Sequence, residues 1–496
     1  MARKSKLSTN WVIRFVPNDV SRFIFHIIAS SSSSSIEGGG TLGILRISHV
    51  CSSWRSIADN APELWTNVVL AYRNGVGAFQ DVEFLSLVLT KSRNMPLTME
   101  MTTKGRPIFK TSKDVKALEL FLRTTHRAKI LKLDIDILHA LFCFFDLRRL
   151  DETHSSNKSR LQVEPGLLLE KLEIHAGYPV DGEIGRDYDF CKLFCPAPSI
   201  GTLALYGSGD DFVGLDHITW LEDERIPFEQ ITSLELTCPI GSEALYDLLS
   251  LTTSLQSVFL NYVIAVDDTV YGPVELEELH TISLGGPSYS VTNFEPLSMM
   301  MGLESISSPA LTTLRLSFIG KWSSKSFQNF LSISPTQIKN LYFDIVGAGD
   351  KNRICCLAML PSLRTLDLTS HAARTINCDF VKAYPLGGEF ISAMREWNDT
   401  QGQFALCPLL EKLTIDYDTL ADTTGNVFAD MIEDRWRRSA AGEKGGFELV
   451  IKRAEHLGDD PQEMIRLLFL KKAGLNLTIE PVTWLEKLFR RGIPSS

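Results

Sequence analysis

A chain of 496 residues with 44% hydrophobic and 22% charged residues matches ordinary globular proteins, which excludes wholesale disorder and a collagen-like chain. Sixty acidic against fifty basic residues leave a net charge of −10, the wrong balance for a protein that lives on phosphate backbones, so no nucleic acid is expected as its main partner. Nine scattered cysteines point to a reducing compartment, and the most apolar runs, 23–29 and 138–145, fall short of the roughly 18 residues a bilayer span needs; the expectation is no membrane and a cytoplasmic and/or nuclear location.

Residues 11–70 form the first zone. Phe23, Ile24, Ile27 and Ile28 recur at helical spacing and predict a helix. A Ser/Gly insert, 30–40, cannot bury apolar area and predicts a flexible loop. Beyond it, Ile47, Val50, Cys51, Trp54, Ile57 and Ala58 lie on one stripe and predict a single amphipathic helix of about three to four turns, stopped by Asn60. Pro62 suits the first turn of another short helix, which carries Leu64 and Trp65.

Residues 71–127 read as a joining segment of helix, strand and helix: Phe84, Leu85, Val88 and Leu89, then Leu97, Met99 and Met101 in alternation, then Val115, Leu118, Phe121 and Leu122.

The third zone, 128–482, carries a repeat. The pattern apolar-x-x-apolar-x-apolar occurs ten times, at Ile130/Leu133/Ile135, Leu169/Leu172/Ile174, Ile200/Leu203/Leu205, Ile231/Leu234/Leu236, Leu255/Val258/Leu260, Leu279/Ile282/Leu284, Leu311/Leu314/Leu316, Ile338/Leu341/Phe343, Leu363/Leu366/Leu368 and Leu410/Leu413/Ile415. Most offsets lie near the roughly 20–29 residues of leucine-rich repeats, in which a strand and a helix or turn cannot bury their own apolar face and must stack. Regular repeats of that kind place Asn or Cys three residues after the last leucine. None of the ten copies does, so an irregular solenoid is expected, α/β in class, with parallel strands and with helices or turns on the outer side. Val427, Met431, Ile432 and Trp436 mark a later helix that runs into Arg435, Arg437 and Arg438, read as basic residues at a helix C-terminus. Two more strands follow, and 483–496 reads as a tail.

Strand alternation turns the residues between the apolar positions away from the core. They include Lys132, Asp134, Asp136, Lys171, Glu173, His175, Tyr206, Glu235, Phe259, Asn261, Arg315, Asn340, Tyr342, Asp344, Asp367, Lys412 and Asp416. Seven acids against four bases, with three aromatics, predict a mildly acidic protein-binding face. Asp134, Glu173, Tyr206, Glu235, Phe259, Arg315, Tyr342 and Asp367 are its candidate substrate contacts. No phosphate-binding loop, H-E-x-x-H, G-x-S-x-G or G-x-G-x-x-G occurs, and Cys191/Cys195 and Cys355/Cys356 lack clustered histidines. No catalytic residue, no metal and no cofactor is expected, and the protein reads as a non-enzyme.

Val16-Pro17 with Asn18-Asp19-Val20, then Ile24-Phe25, then Leu45-Arg46-Ile47-Ser48-His49-Val50-Cys51-x-x-Trp54-Arg55 and Pro62-x-Leu64-Trp65 resemble an F-box domain. Val16 stands where that family has leucine, and the Ser/Gly insert separates helices that the family joins by a shorter link. Lys91-Ser92-Arg93-Asn94-Met95-Pro96-Leu97 and Met431-Ile432-Glu433-Asp434-Arg435-Trp436 are similar to segments of the divergent F-box-like proteins of fungi. The resemblance implies a small all-α module docking on the Skp1 adaptor of a cullin ubiquitin ligase, while the leucine-rich repeats hold an unknown protein substrate. Carried over, Pro17, Val20, Ile24, Phe25, Leu45, Val50, Cys51, Trp54, Leu64 and Trp65 face Skp1 or pack the module. The competing reading is a leucine-rich-repeat scaffold with no ubiquitin-ligase role.

Overall fold

The computed structural model describes residues 17–31, 39–73, 82–104, 112–134, 166–176, 196–207, 226–237, 240–261, 263–264, 272–285, 303–304, 306–319, 323–334, 337–346, 349–369, 386–416, 427–440, 446–454 and 462–481. Two compact units divide the chain, residues 1–213 with 217–230, and residues 214–216 with 231–496. The architecture is α/β: the described residues hold eleven α-helices and fourteen long parallel strands, five strands in the first unit and nine in the second.

The first unit opens with helices α1 (Asn18–Ser31), α2 (Gly39–Ser48) and α3 (Ser52–Asp59), then a 3-10 turn (Pro62–Trp65). Helix α1 runs through Ser31 and α2 starts at Gly39, so helix enters the expected loop from both sides; 32–38 lie outside the described residues. The single helix expected over Ile47 to Ala58 is instead two. The amides of His49 and Val50 bond back three residues, to Arg46 and Ile47, closing α2. Cys51 is extended and its Sγ accepts the Trp54 N–H at 3.5 Å, starting α3. Arg55 Nε donates to the Ser48 carbonyl at 3.1 Å and braces the break.

Strand β1 (Asn67–Arg73) follows at once and pairs in parallel with β2 (Leu97–Lys104), which pairs with β3 (Ala128–Asp134). The parallel ladder therefore starts at Asn67, well before residue 128, and the boundary expected at residue 70 falls inside a strand. Thr41 Oγ1 donates to the Asn67 carbonyl and Lys91 pairs with Asp59 at 2.9 Å, so the helical module is fastened to the strands that follow it. Helix α4 (Val82–Lys91) lies between β1 and β2, and α5 (Ser112–Arg123) between β2 and β3. Strands β4 (Lys171–Ala176) and β5 (Thr202–Gly207) complete this unit.

In β3 the repeat is displaced by two residues from the expected register. Leu131 and Leu133 pair with Leu172 and Ile174, whereas Ile130 meets Lys171 and Ile135 lies outside the described residues. A shift of two preserves the alternation, so each side chain keeps its face.

The second unit continues with β6 (Ser233–Leu236), α6 (Ser242–Leu251), β7 (Ser257–Leu260), β8 (Thr281–Gly285), β9 (Thr313–Ile319), α7 (Ser324–Ile333), β10 (Asn340–Val346), α8 (Asp350–Ala358) and β11 (Thr365–Asp367). Then come α9 (Gly388–Arg395), β12 (Lys412–Asp416), α10 (Val427–Ala440), β13 (Glu448–Ala454), α11 (Gln462–Lys472) and β14 (Asn476–Pro481). Each strand pairs in parallel with the next. The first leucine or isoleucine of the repeat, at 231, 255, 279, 311, 338, 363 and 410, is buried every time, and the two inward positions after it are buried too, except Leu368, which is half-buried just past β11. Each such side chain contributes about 1.5–3 kcal/mol. Where regular repeats turn on Asn, β9 and β10 run on through Ile319 and Val346. Backbone bonding is concentrated at the strand entrance instead: the amides of 256 and 257 share the Thr232 carbonyl, those of 280 and 281 the Gln256 carbonyl, and those of 312 and 313 the His280 carbonyl.

Successive repeats also cap one another. Asp350 on α8 accepts the Gly387 and Phe390 amides at the start of α9, and buried Glu463 on α11 accepts the Phe428 and Ala429 amides at the start of α10. Removing such a carboxylate leaves amides without an acceptor, so Asp350→Ala is expected to cost about 0.5–2 kcal/mol in urea unfolding.

Candidate functional site

The described residues place the candidates on two surfaces. On the helical module, α1 buries Ser21 and Phe25, with Ile28 half-buried, while Val20, Phe23, Ile24 and Ile27 are exposed; Phe23 is 66% exposed. Three of the four residues that predicted the helix, Phe23, Ile24 and Ile27, thus face outward, and the fourth, Ile28, lies with Ser21 and Phe25 on the inner side. Val50, at the break between α2 and α3, is also exposed, at 51%. Pro17 is exposed, and its carbonyl accepts the Ser21 amide at the start of α1. Phe25, Leu64 and Trp65 are core: Phe25 meets the half-buried Trp54 edge-on at 5.3 Å, and the Trp65 indole donates to the Ala58 carbonyl at 2.8 Å. Leu45 is half-buried, and Cys51 caps α3. The transferred set therefore splits into an outward group (Pro17, Val20, Ile24, Val50) and a packing group. Phe23 belongs to the outward group although the motif did not select it; its place on the apolar stripe was the available signal.

The other candidates lie on the sheet face opposite the leucines, in each unit by itself. In the first unit Glu173 is buried among Lys132 Nζ at 2.8 Å, Lys171 Nζ at 2.7 Å and His175 Nε2 at 3.9 Å. Burial penalises its charged form, but hydrogen bonds from His175, Lys132 and Lys171 outweigh that and hold the carboxyl well below the usual carboxylate range. His175 stacks on Tyr206 of the next strand, with ring centroids 4.6 Å apart. Because the folded-state carboxyl titrates below its ordinary value of 4.5, the stability it supplies is complete above that pH and is lost as the pH falls. Thermal melts from about pH 5 to about pH 3 should show a steeper loss for wild type than for Glu173→Gln.

In the second unit Glu235, Phe259, Ser283, Arg315, Tyr342, Asp367 and Thr414 stand in one row across the paired strands. Arg315 is exposed, its guanidinium over the Tyr342 ring at 4.4 Å, and Glu235 and Phe259 are half-buried. Asp367 is buried, accepts from the Thr369 amide and hydroxyl, and pairs with Lys452 at 3.1 Å.

These placements correct the expected acidic surface. Of its seven acids, Asp134, Glu173, Asp344, Asp367 and Asp416 are buried, Glu235 is half-buried, and Asp136 lies outside the described residues. A carboxylate facing away from the leucines is still drawn beneath its neighbours when adjacent strands supply cations and hydroxyls, as at Glu173 and Asp367. Tyr206, Glu235, Phe259, Arg315 and Tyr342 are the candidates that retain accessible surface.

Segments 91–97 and 431–436 are each fastened within their own unit by an arginine. In the first unit the turn through Arg93, whose φ is +50°, is clamped by Arg127, which donates to Ser92 Oγ at 2.9 Å and the Met95 carbonyl at 3.1 Å. In the second, Arg435 is not at a helix end: it sits within α10, 1% exposed, and donates to the carbonyls of Met394, Leu406 and Cys407. Burial brings its pKa down to about 10, with Cys407 opposing the fall. Among the described residues no group of three or more His, Cys, Asp and Glu could hold a metal ion, and no helix is long and apolar enough to cross a membrane. Comparison with protein-family models and with curated proteins returns no match.

Proposed function

We propose that the chain is a non-catalytic adaptor of a Skp1–cullin ubiquitin ligase: α1 to α3 form an F-box that docks on Skp1, and the parallel array is a degenerate leucine-rich-repeat solenoid that holds a protein substrate. The observation that carries this reading is the apolar stripe of Val20, Phe23, Ile24 and Ile27 left exposed along one face of α1, since apolar side chains gathered on one outer face call for a partner. The motif residues that surround the patch support the choice of partner. Phe25, Trp54, Leu64 and Trp65 build the core that presents it. For the substrate, Phe259, Arg315 and Tyr342 of the second unit supply aromatic and guanidinium groups, the residue types that dominate binding energy at protein interfaces.

The test is co-purification of the intact tagged chain with Skp1 and cullin. Recovery of both is the expected outcome. If neither is recovered, the adaptor reading falls and the scaffold reading takes its place.

A further inference from the structure

On the strands of the second unit, Arg315, Lys412 and Lys452 are the cations that face away from the leucines among the described side chains. Lys412 pairs with Glu448 and Lys452 with Asp367, each at 3.1 Å. Arg315 makes no ion pair among the described residues; it is exposed, and its guanidinium lies over the Tyr342 ring, 4.4 Å from the centroid. Stacking engages the face of the guanidinium and leaves its N–H edge for an acceptor in the same plane. The nearby acids do not take that edge. Asp344 is buried and accepts the Ser317 hydroxyl at 3.2 Å, and Asp367 is buried with Lys452 and Thr369. Glu235 stands three strands away, about 14 Å, beyond the screening length at physiological salt.

Between Phe259 on β7 and Arg315 on β9, β8 places only Ser283 and Gly285 at outward positions. A Cβ at Gly285 would stand 2.6 Å from Asn261 Oδ1 and 3.2 Å from Phe259 Cζ, so the Phe259 ring and the Asn261 side chain lie over that glycine. The face therefore carries a shallow groove two strand spacings wide, about 10 Å, floored by buried Ser283. An aromatic ring borders one side and an unpaired guanidinium the other.

We propose that this groove takes an acidic peptide segment of a protein partner, one carboxylate meeting the edge of Arg315 and an apolar side chain two or three residues from it packing on Phe259. A carboxylate is the planar acceptor that matches the guanidinium fork, and the stack on Tyr342 holds the fork in place before the partner arrives. Two or three extended residues, at about 3.3 Å each, reach across the groove. The inference rests on the reading of this face as the substrate surface, and it names the chemistry of that substrate. It reverses the basic partner that a mildly acidic face would select.

Panning the intact chain against a displayed library of random peptides tests it. Wild type is expected to enrich peptides with Asp or Glu two or three residues from an apolar side chain. A synthetic peptide of the enriched sequence should bind Arg315→Ala about tenfold or more weakly, the loss of one charge-assisted contact. Arg315→Glu, checked for folding by circular dichroism, should lose the acidic preference. No enrichment, enrichment of basic or uncharged peptides, or an acidic preference unchanged in Arg315→Glu would overturn the proposal. Skp1 takes no part in the panning, so failure here with Skp1 binding intact removes this inference alone. Loss of Skp1 binding with the acidic preference intact removes only the adaptor reading.

Discussion

Arg435→Met should destabilise the second unit by about 3–5 kcal/mol, more than any other single change considered for the core. The guanidinium reaches Met394 O at 2.8 Å through Nε, Cys407 O at 3.1 Å through Nη1 and Leu406 O at 2.6 Å through Nη2, and it lies over the Phe404 ring at 4.3 Å. Methionine fills most of the volume but removes three buried hydrogen bonds; the Cys407 carbonyl keeps the Leu410 amide, while those of Met394 and Leu406 lose the guanidinium, a penalty of about 1–3 kcal/mol each before relaxation. One of those carbonyls belongs to Cys407, whose φ of +48° is costly for a side chain with a Cβ and is held in place by the arginine. A midpoint lower by on the order of 10 °C is expected in thermal melts. Arg435→Lys should recover only a minor part, because one ammonium cannot span three carbonyls on separate segments. A melt of Arg435→Met indistinguishable from wild type would show that the clamp contributes nothing.

Such a residue could not be recognised from the sequence. Arg435 stands near two other arginines, which is how a helix C-terminus looks, and its partners lie 28 to 41 residues away. The leucine pattern, in contrast, was legible, because a buried first leucine and two inward strand positions are imposed locally by every repeat. Strand β1 was missed for the opposite reason: Val68, Leu70 and Ala71 are all buried, so an apolar run stands where alternation was sought. On α1 the helical period is legible in the sequence and the buried face is not. Periodicity reports which residues share a side, and only packing shows that Ser21 and Phe25 point in while Phe23 and Ile24 point out. The break at Cys51 is hidden in the sequence because the stripe continues across it; the return bonds of His49 and Val50 and the thiol cap on Trp54 make it. The buried acids of the sheet face have the same origin: alternation gives the side of the sheet, and depth depends on the lysines and hydroxyls of neighbouring strands.

The adaptor account stands or falls on the outer face of α1. Phe23→Asp with Ile24→Asp places two charges where apolar surface is expected to be desolvated by Skp1, while Phe25, Leu64 and Trp65, which hold the module together, are untouched. Losing two apolar contacts of about 1.5–3 kcal/mol each and desolvating the added carboxylates should weaken Skp1 binding by a factor on the order of 100 or more. Arg315→Glu, on the exposed sheet face of the other unit, is expected to leave Skp1 affinity unchanged. The decisive measurement is the calorimetric titration of purified Skp1 into the intact chain and into these two variants, with folding checked by circular dichroism. The account predicts saturable one-to-one binding for wild type and Arg315→Glu and its loss in the α1 variant; no binding by wild type, or equal binding by all three, would contradict it.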